Sequence, residues 1–558
     1  MAKHIIYQLL PRTFANFTEN RVRNGSIEEN GCGKLNHINQ KALREIRSLG
    51  ATHVWYTGII RHATTTDYSR FGIPQQNPQV VKGKAGSPYA ITDYYDIDPD
   101  LAQDVEHRMQ EFEALVARTH KAGLRVVIDF VANHVARQYK SIAKPEGVAD
   151  LGENDHPEWA FSPLNNFYYI PNQQFQVPEN SLSENAYYEY PAKVTGNDCF
   201  SPAPDKNDWY ETVKLNYGVH YLGGCEKQFD PIPDTWKKML QVLLYWCEKG
   251  VDAFRCDMAH MVPVEFWGWA IRQVKEQYPA VEFIAEIYDT GLYRSYIFNG
   301  GFDYLYDKVE MYDYLRGVTS RDYPADGITR QWQATEDIQS HMLYFLENHD
   351  EQRIASGFFC GSGFGAEAAM IVSACLLSNP VLIYAGQEVG EQGMDMEGYS
   401  GIDGRTTIFD YWGVRSLQAW TNKGKYDGKG LSADQVRLRK FYQDLLNLTQ
   451  TEAAIREGLM FDLEYVQAEG FNRQKEYAFM RKYKDETLLI VVNFNAREEH
   501  TRIRIPHAAF AYLELQPRDK VNMVDLLSGK TFNDLPLLPD RPVEIDVPAW
   551  KGLILKIM

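Results

Sequence analysis

Eight short apolar runs recur along the chain: IIYQLL (5–10), THVWYTGI (52–59), RVVIDFV (125–131), VDAFRCD (251–257), VEFIAEI (281–287), FDYLYD (302–307), MLYFLENHD (342–350) and VLIYAG (381–386). Each is a strand candidate followed by a polar or glycine-rich loop and then a segment of helical period. Trp236, Leu240, Leu243, Leu244 and Cys247 mark one such helix, and Leu438, Phe441, Tyr442, Leu445 and Leu446 another. Strand and helix alternating eight times predict a parallel (β/α)8 barrel of the TIM type.

The spacing is uneven. About 120 residues separate the third and fourth runs, far more than a crossover helix needs. The intervening stretch is rich in Asn, Pro, Tyr and Asp (NNFYYIPNQQF, AYYEYP) and has no period. It predicts an irregular subdomain over residues 137–222, inserted after strand 3. Beyond a helix expected at about 433–450, the segments EYAFMRKY, ETLLIVVNF, TRIRIP, VNMVDLLSGK, VEIDVP and KGLILKI read as strands. The expected division is a barrel over 1–136 and 223–458, the insertion over 137–222, and a C-terminal antiparallel β-sandwich over 459–558.

A formal charge of -17 argues against a nucleic-acid partner, which calls for a basic surface. Seven scattered cysteines with no CxxC pair suggest neither a disulfide framework nor a zinc knuckle. No window approaches the ~18 apolar residues of a membrane span. The opening MAKHIIYQLLPRTF reads as a first strand rather than a leader, so a cytoplasmic protein is expected. The segment GSGFGA (361–366) only superficially resembles a dinucleotide fingerprint, lacking a strand directly before it.

In such a barrel the reactive groups gather where strands end at the C-terminal face. The third run ends in Asp129, Asn133 and His134, the fourth in Arg255 and Asp257, the fifth in Glu286, and the seventh in His349 and Asp350. Side chains two apart on a strand share a face, so Arg255 lies beside Asp257 and is expected to keep it ionised. Glu286 closes an apolar run among other anions and is expected to retain a proton. One ionised and one protonated carboxyl, ~5–5.5 Å apart, is what a retaining glycosidase requires.

Four segments in order, DFVANH, DAFRCDMAH, FIAEIYD and ENHDEQR, resemble the conserved regions of glycoside hydrolase family 13, the α-amylase family. YQLLPRTF and SPYAITDYYDID are similar to it as well, so the resemblance runs over nearly the whole chain. It implies Asp257 as nucleophile, Glu286 as general acid and then base, and Asp350 as transition-state stabiliser. It also implies Tyr89 stacking on the sugar at the cleaved bond, His134 and His349 bonding its hydroxyls, and Arg255 orienting Asp257, with Asp129 supporting. The implied substrate is an α-1,4-linked glucan or maltooligosaccharide, hydrolysed with retention and without a required cofactor. Transglycosylation or isomerisation on the same site is the alternative, and a non-catalytic sugar-binding barrel is the reading from another class.

The pattern departs from many α-amylases at His260 and Met261, where a Lys-His pair is usual, so His260 is expected to meet the departing sugar differently. DMAHMV and VKLNY (213–217) resemble the neopullulanase and cyclomaltodextrinase branch. Asn133 matches a calcium ligand of the family, but Lys214 stands where an Asp is usual, so calcium is not expected there. Among the insertion's aromatics, Tyr168, Tyr169, Tyr187 and Tyr188 are expected mostly to pack the lobe, and Trp209 to touch substrate.

Overall fold

A computed structural model describes residues 3–178 and 186–558. Eight parallel strands close into a barrel: β1 (Ile5–Leu9), β2 (His53–Tyr56), β3 (Arg125–Val131), β4 (Ala253–Asp257), β5 (Glu282–Ala285), β6 (Tyr304–Tyr306), β7 (Met342–Phe345) and β8 (Val381–Tyr384). Each expected run contains one of them, and β1 completes the ring by pairing with β2 and β8. The principal helices between them are α1 (Gln40–Ser48), α2 (Arg108–Lys121), α3 (Asp234–Glu248), α4 (Val264–Gln277), α5 (Tyr293–Phe298), α6 (Asp313–Ser320) and α7 (Glu367–Cys375), with α8 (Ala433–Thr451) after β8.

The strands are buried on both faces, which is why they read as nearly unbroken apolar runs. Ile6, Trp55, Val127, Ala253, Ile284, Tyr306, Leu343 and Leu382 fill the barrel interior. Their neighbours Tyr7, Val54, Val126, Phe254, Phe283 and Leu305 join the layer beneath the helices. α8 starts at a capping box in which Ser432 and Gln435 each bond the other's backbone N–H.

After β3 the chain forms strand His134–Ala136, which pairs antiparallel with Thr212–Lys214 and sets His134 opposite Lys214. Between them lies mostly irregular chain with one short strand pair, Tyr169–Ile170 with Ala192–Lys193. Residues 179–185 of the expected insertion lie outside the described residues. Tyr168, Ile170, Phe175, Ala192 and Val194 form a small core of their own, which Val80 from the loop after β2 completes. The Tyr168, Tyr169 and Tyr187 hydroxyls bond Val219 O, Asp155 and Glu189 within the lobe, and Tyr188 is exposed.

The C-terminal segment supplies β9 (Leu459–Asp462), β10 (Glu476–Tyr483), β11 (Glu486–Asn493), β12 (Glu499–Ile503), β13 (Arg518–Asp525), β14 (Thr531–Leu537), β15 (Val543–Val547) and β16 (Gly552–Ile557). Six make an antiparallel sheet in the order β9-β10-β11-β16-β13-β14, and β12 pairs with β15. Alternation decides what each face covers. Tyr477, Phe479, Leu488, Ile490 and Val492 pack on the barrel, while Ala478, Met480, Leu489 and Val491 face Ile503, Val543 and Ile545 of the smaller sheet. All seven cysteines are free, and among the described residues no helix is long and apolar enough to cross a membrane.

Candidate active site

Arg255, fully buried near the end of β4, organises the site. Its Nη1 donates to Oδ1 of Asp257 at 2.7 Å and lies 3.5 Å from Oδ1 of Asp129, and its Nη2 lies 2.8 Å from Oε2 of Glu286. Nε donates to the Tyr306 hydroxyl at 3.2 Å, and the guanidinium carbon sits 5.3 Å from the rings of both Trp55 and Tyr89. One planar fork thus reaches Asp257 and Glu286 from two adjacent strands, a geometry open to arginine and not to lysine. Asp129 accepts from Trp55 Nε1 at 3.1 Å and supports the cluster from β3.

Glu286 follows β5 and receives two further donors. The Met258 amide donates to Oε2 at 2.8 Å and the Tyr288 hydroxyl to Oε1 at 2.6 Å. Met258 can aim its N–H this way because its backbone is left-handed, φ 43°, a conformation costly for a side-chain-bearing residue and concentrated at functional sites. The Ala259 amide then bonds Glu286 O at 3.0 Å, which seats the turn after β4 against the end of β5.

His349 and Asp350 ride on a turn built by their neighbours. Asn348 Oδ1 accepts the amides of Asp350 and Glu351 at 2.9 and 3.0 Å, an Asx turn. Buried Glu347 ties the far side by accepting Arg353 Nη1 at 2.8 Å and the Ile354 amide at 2.6 Å. Gln8 Nε2 lies 2.8 Å from His349 Nδ1, and the imidazole's other nitrogen is Nε2. That nitrogen faces the Tyr89 hydroxyl at 2.5 Å and Asp350 Oδ2 at 3.1 Å, while the Tyr89 ring stacks on His349 with centroids 5.2 Å apart.

A cavity of about 300 Å³ opens over this cluster, lined by Asp257, Glu286 and Asp350 together with Tyr89, His134 and Trp209. Arg255 and His349 stand behind that wall. His260 does not line the cavity either: after left-handed Met258 the short helix Ala259–Met261 turns it aside, and its ring lies edge-on to Tyr288 with centroids 6.2 Å apart. The wall also contains Lys82, Ser87, Glu211, Thr212, Met258, Tyr288, Ile408 and Phe409, none of them expected from the sequence. Tyr288 carried a usable signal, two residues beyond Glu286. Among the larger clefts, those of about 570 and 670 Å³ involve the C-terminal sheets and one of about 380 Å³ lies beside Trp420 and Arg439, and none of the three holds these residues.

The electrostatics separate the carboxyl groups. Burial, reinforced by Glu286 and Asp129, pushes Asp257 well above the usual carboxylate range, and Arg255 only partly offsets this. The expectation that Arg255 dominates is corrected accordingly: desolvation of a fully enclosed carboxylate is the larger effect. Burial also acts to raise Asp350, but His349, with Arg255 and Arg405, brings it down to about 2. His134 is lowered to about 3 by burial and by Lys214 and Lys82, so it is neutral.

Lys214 occupies the position in question for calcium. Its Nζ donates to Asn133 Oδ1 at 2.8 Å and lies 2.5 Å from Asp198 Oδ1, and the side chain is buried. An ammonium thus joins the barrel to the inserted lobe beside Asn133, and a site that holds this cation does not suit calcium.

The chain is similar to an α-1,4-glucan:maltose-1-phosphate maltosyltransferase of Cereibacter sphaeroides, 24% identical over 94% of this chain and 66% of that protein. It is also similar to neopullulanase 2 of Thermoactinomyces vulgaris, 22% identical over 90% of this chain and 71% of that one. The chain therefore spans about two-thirds of the length of these curated relatives. Its fold is that of the maltogenic α-amylase AmyB from Thermotoga neapolitana, with TM-score 0.63, 18% identity, and coverage of 100% of this chain and 99% of that chain. The α-amylase catalytic-domain model matches residues 8–485. The chain belongs to the α-amylase family.

Proposed function

We propose that the protein is a retaining α-glycoside hydrolase acting on α-1,4-linked glucans or maltooligosaccharides. The observation that carries this reading is the placement of Asp257, Glu286 and Asp350 on one cavity wall, with the first two held by a single guanidinium. Asp257 attacks the anomeric carbon while Glu286 gives its proton to the departing glycosidic oxygen, leaving a β-glycosyl ester on Asp257. Glu286, now a carboxylate, takes a proton from water, and the resulting oxygen nucleophile displaces Asp257 with net retention. The Tyr288 hydroxyl follows the change, accepting from the acid and donating to the carboxylate. Asp350, held anionic, binds sugar hydroxyls in the distorted ring, and Tyr89, His134 and Trp209 supply the contact surface.

Transfer to a second sugar is the alternative outcome of the same intermediate, and the maltosyltransferase among the relatives favours considering it. Incubation with maltoheptaose, cyclodextrin, pullulan and sucrose, with product sizes and anomeric configuration followed by NMR, separates the two. Hydrolysis gives shorter α-configured products and new reducing ends, whereas transfer gives longer chains without them. β-Configured first products, or full activity in Asp257→Asn, would sink the reading.

A further inference from the structure

At the end of the barrel opposite the cavity, the first interior layer is polar. His4 precedes Ile6 by two, His53 precedes Trp55, Arg125 precedes Val127, Glu282 precedes Ile284 and Tyr304 precedes Tyr306, and those five partners all point into the barrel. Residues two apart share a face, so these side chains form the layer below, at the N-terminal mouth. β1 and β2 stand across the ring from β5 and β6, so contacts among these residues span the barrel.

Within that layer, His4 Nδ1 lies 3.7 Å from Glu282 Oε1, and His53 Nε2 lies 3.2 Å from Glu282 Oε2. The three ligand atoms all fall within 4.8 Å of one another. The 3.7 and 3.2 Å distances run to different oxygens of Glu282, so side-chain rotations must bring one oxygen and the two nitrogens to the roughly 3.3 Å edges of a tetrahedral ion with bonds of ~2.0–2.1 Å. The His53 ring is already oriented from its other nitrogen, with Nδ1 2.7 Å from Thr52 Oγ1, whereas the Tyr304 hydroxyl lies 2.9 Å from His4 Nδ1 itself and must give that nitrogen up to an ion. An outer contact like that of Thr52 fixes ring direction and tautomer in metal sites.

We propose that His4, His53 and Glu282 bind a divalent transition ion of the zinc class, with water in the fourth position, tying opposite walls of the barrel floor. Two imidazoles and one carboxylate suit zinc, cobalt or nickel and not calcium or magnesium, which take oxygen ligands. The side chains of His4 and Glu282 are 24% and 18% exposed, enough for an ion and its water to enter. Arg125 now bonds Glu282 Oε2 at 2.9 Å and must yield it. It retains Asp252, whose carboxylate is 3.9 Å from its Nε, and the carbonyls of Asp252 and Ala280.

Zinc chloride titrated calorimetrically into chelator-stripped, desalted full-length protein is expected to bind at one ion per chain and to raise the thermal midpoint, since an ion that binds only the folded state stabilises it. Cobalt(II) at the same site should give the intense visible bands of four-coordination without thiolate charge transfer. His4→Ala and Glu282→Gln should each weaken zinc binding at least about 10-fold while leaving the circular dichroism spectrum and glucan hydrolysis in place. His4→Gln provides the same test if His4→Ala folds poorly. No binding, unchanged affinity in these variants, or a thiolate band in the cobalt spectrum overturns the proposal.

Discussion

The backbone amide of Met258 donates to Oε2 of Glu286 at 2.8 Å, so the residue after Asp257 holds the carboxyl group expected to work with it. The Tyr288 hydroxyl holds the other oxygen at 2.6 Å, and the two carboxyl oxygens are thereby fixed from opposite sides. Tyr288→Phe removes a hydrogen bond that becomes charge-assisted, worth about 1.5–3 kcal/mol, once Glu286 has given up its proton. The expected result is a fall in kcat of roughly 10- to 100-fold, with KM and the thermal midpoint little changed. Steady-state kinetics on maltoheptaose checks it. A variant that alters KM alone would make Tyr288 a sugar contact and not a positioner of Glu286.

The pH dependence follows from the burial of Asp257. Its carboxyl is raised by burial and by Glu286, and the proposed nucleophilic attack needs it ionised, so kcat/KM is expected to fall as acid protonates it. That fall is expected at a pH above the ordinary Asp value of about 3.9. Asp350, held at about 2, stays ionised throughout this range and does not set the limb. Arg255→Lys keeps a charge but cannot hold Asp257 and Glu286 at once, so the acid limb should move to still higher pH and kcat/KM drop by about 10²-fold or more. A kcat/KM profile for both proteins decides. An acid limb near pH 3.9 in the wild type would contradict the assignment.

Trp209 tests the cavity wall contributed by the inserted lobe. Its ring lies 5.2 Å from that of His134, half-buried, with one side facing the cavity. Loss of an aromatic contact of about 0.5–1.5 kcal/mol predicts a KM for maltooligosaccharides raised roughly 2- to 10-fold in Trp209→Ala, with kcat reduced less. Unchanged KM with lowered stability would reassign Trp209 to packing of the lobe.

How much of this was legible depended on where each residue sits. Arg255, Asp257, Glu286 and Asp350 close apolar runs, and period-two alternation placed them. Gln8 left a weaker mark, a polar residue inside IIYQLL, and the structure explains it by placing its amide 2.8 Å from His349 Nδ1. Lys82, Ser87, Glu211, Thr212, Ile408 and Phe409 come from long connections without periodicity, so only the folded loops bring them together. The left-handed backbone at Met258, which aims its amide at Glu286, cannot be seen in DMAH. Asp257 was misread in its energetics, because a charged neighbour is visible in a sequence and complete enclosure is not.

Lys214 gives the last prediction. Its ammonium is buried between Asn133 Oδ1 and Asp198 Oδ1, and burial lowers its pKa while Asp198 opposes the shift. A calcium ion coordinated by Asn133 would lie close to this cation. At ~4 Å and an effective dielectric of ~20, a unit charge and a dication repel by roughly 8 kcal/mol, more than calcium ligation at a partly neutral site can offset. Calcium chloride added to chelator-stripped protein is therefore expected to leave the thermal midpoint unchanged. Lys214→Met removes the cross-link between barrel and lobe and should destabilise by about 1.5–3 kcal/mol, because Asp198 is exposed enough to rehydrate once its partner is gone. Lys214→Asp should be destabilised without metal and recover part of its midpoint on adding calcium chloride, because it restores an oxygen ligand beside Asn133. The same substitution removes a charge that keeps His134 at about 3, so the His134 resonance should titrate at higher pH in either variant. A stripped wild-type protein whose midpoint rises on adding calcium chloride would show that the ammonium does not take the place of the ion.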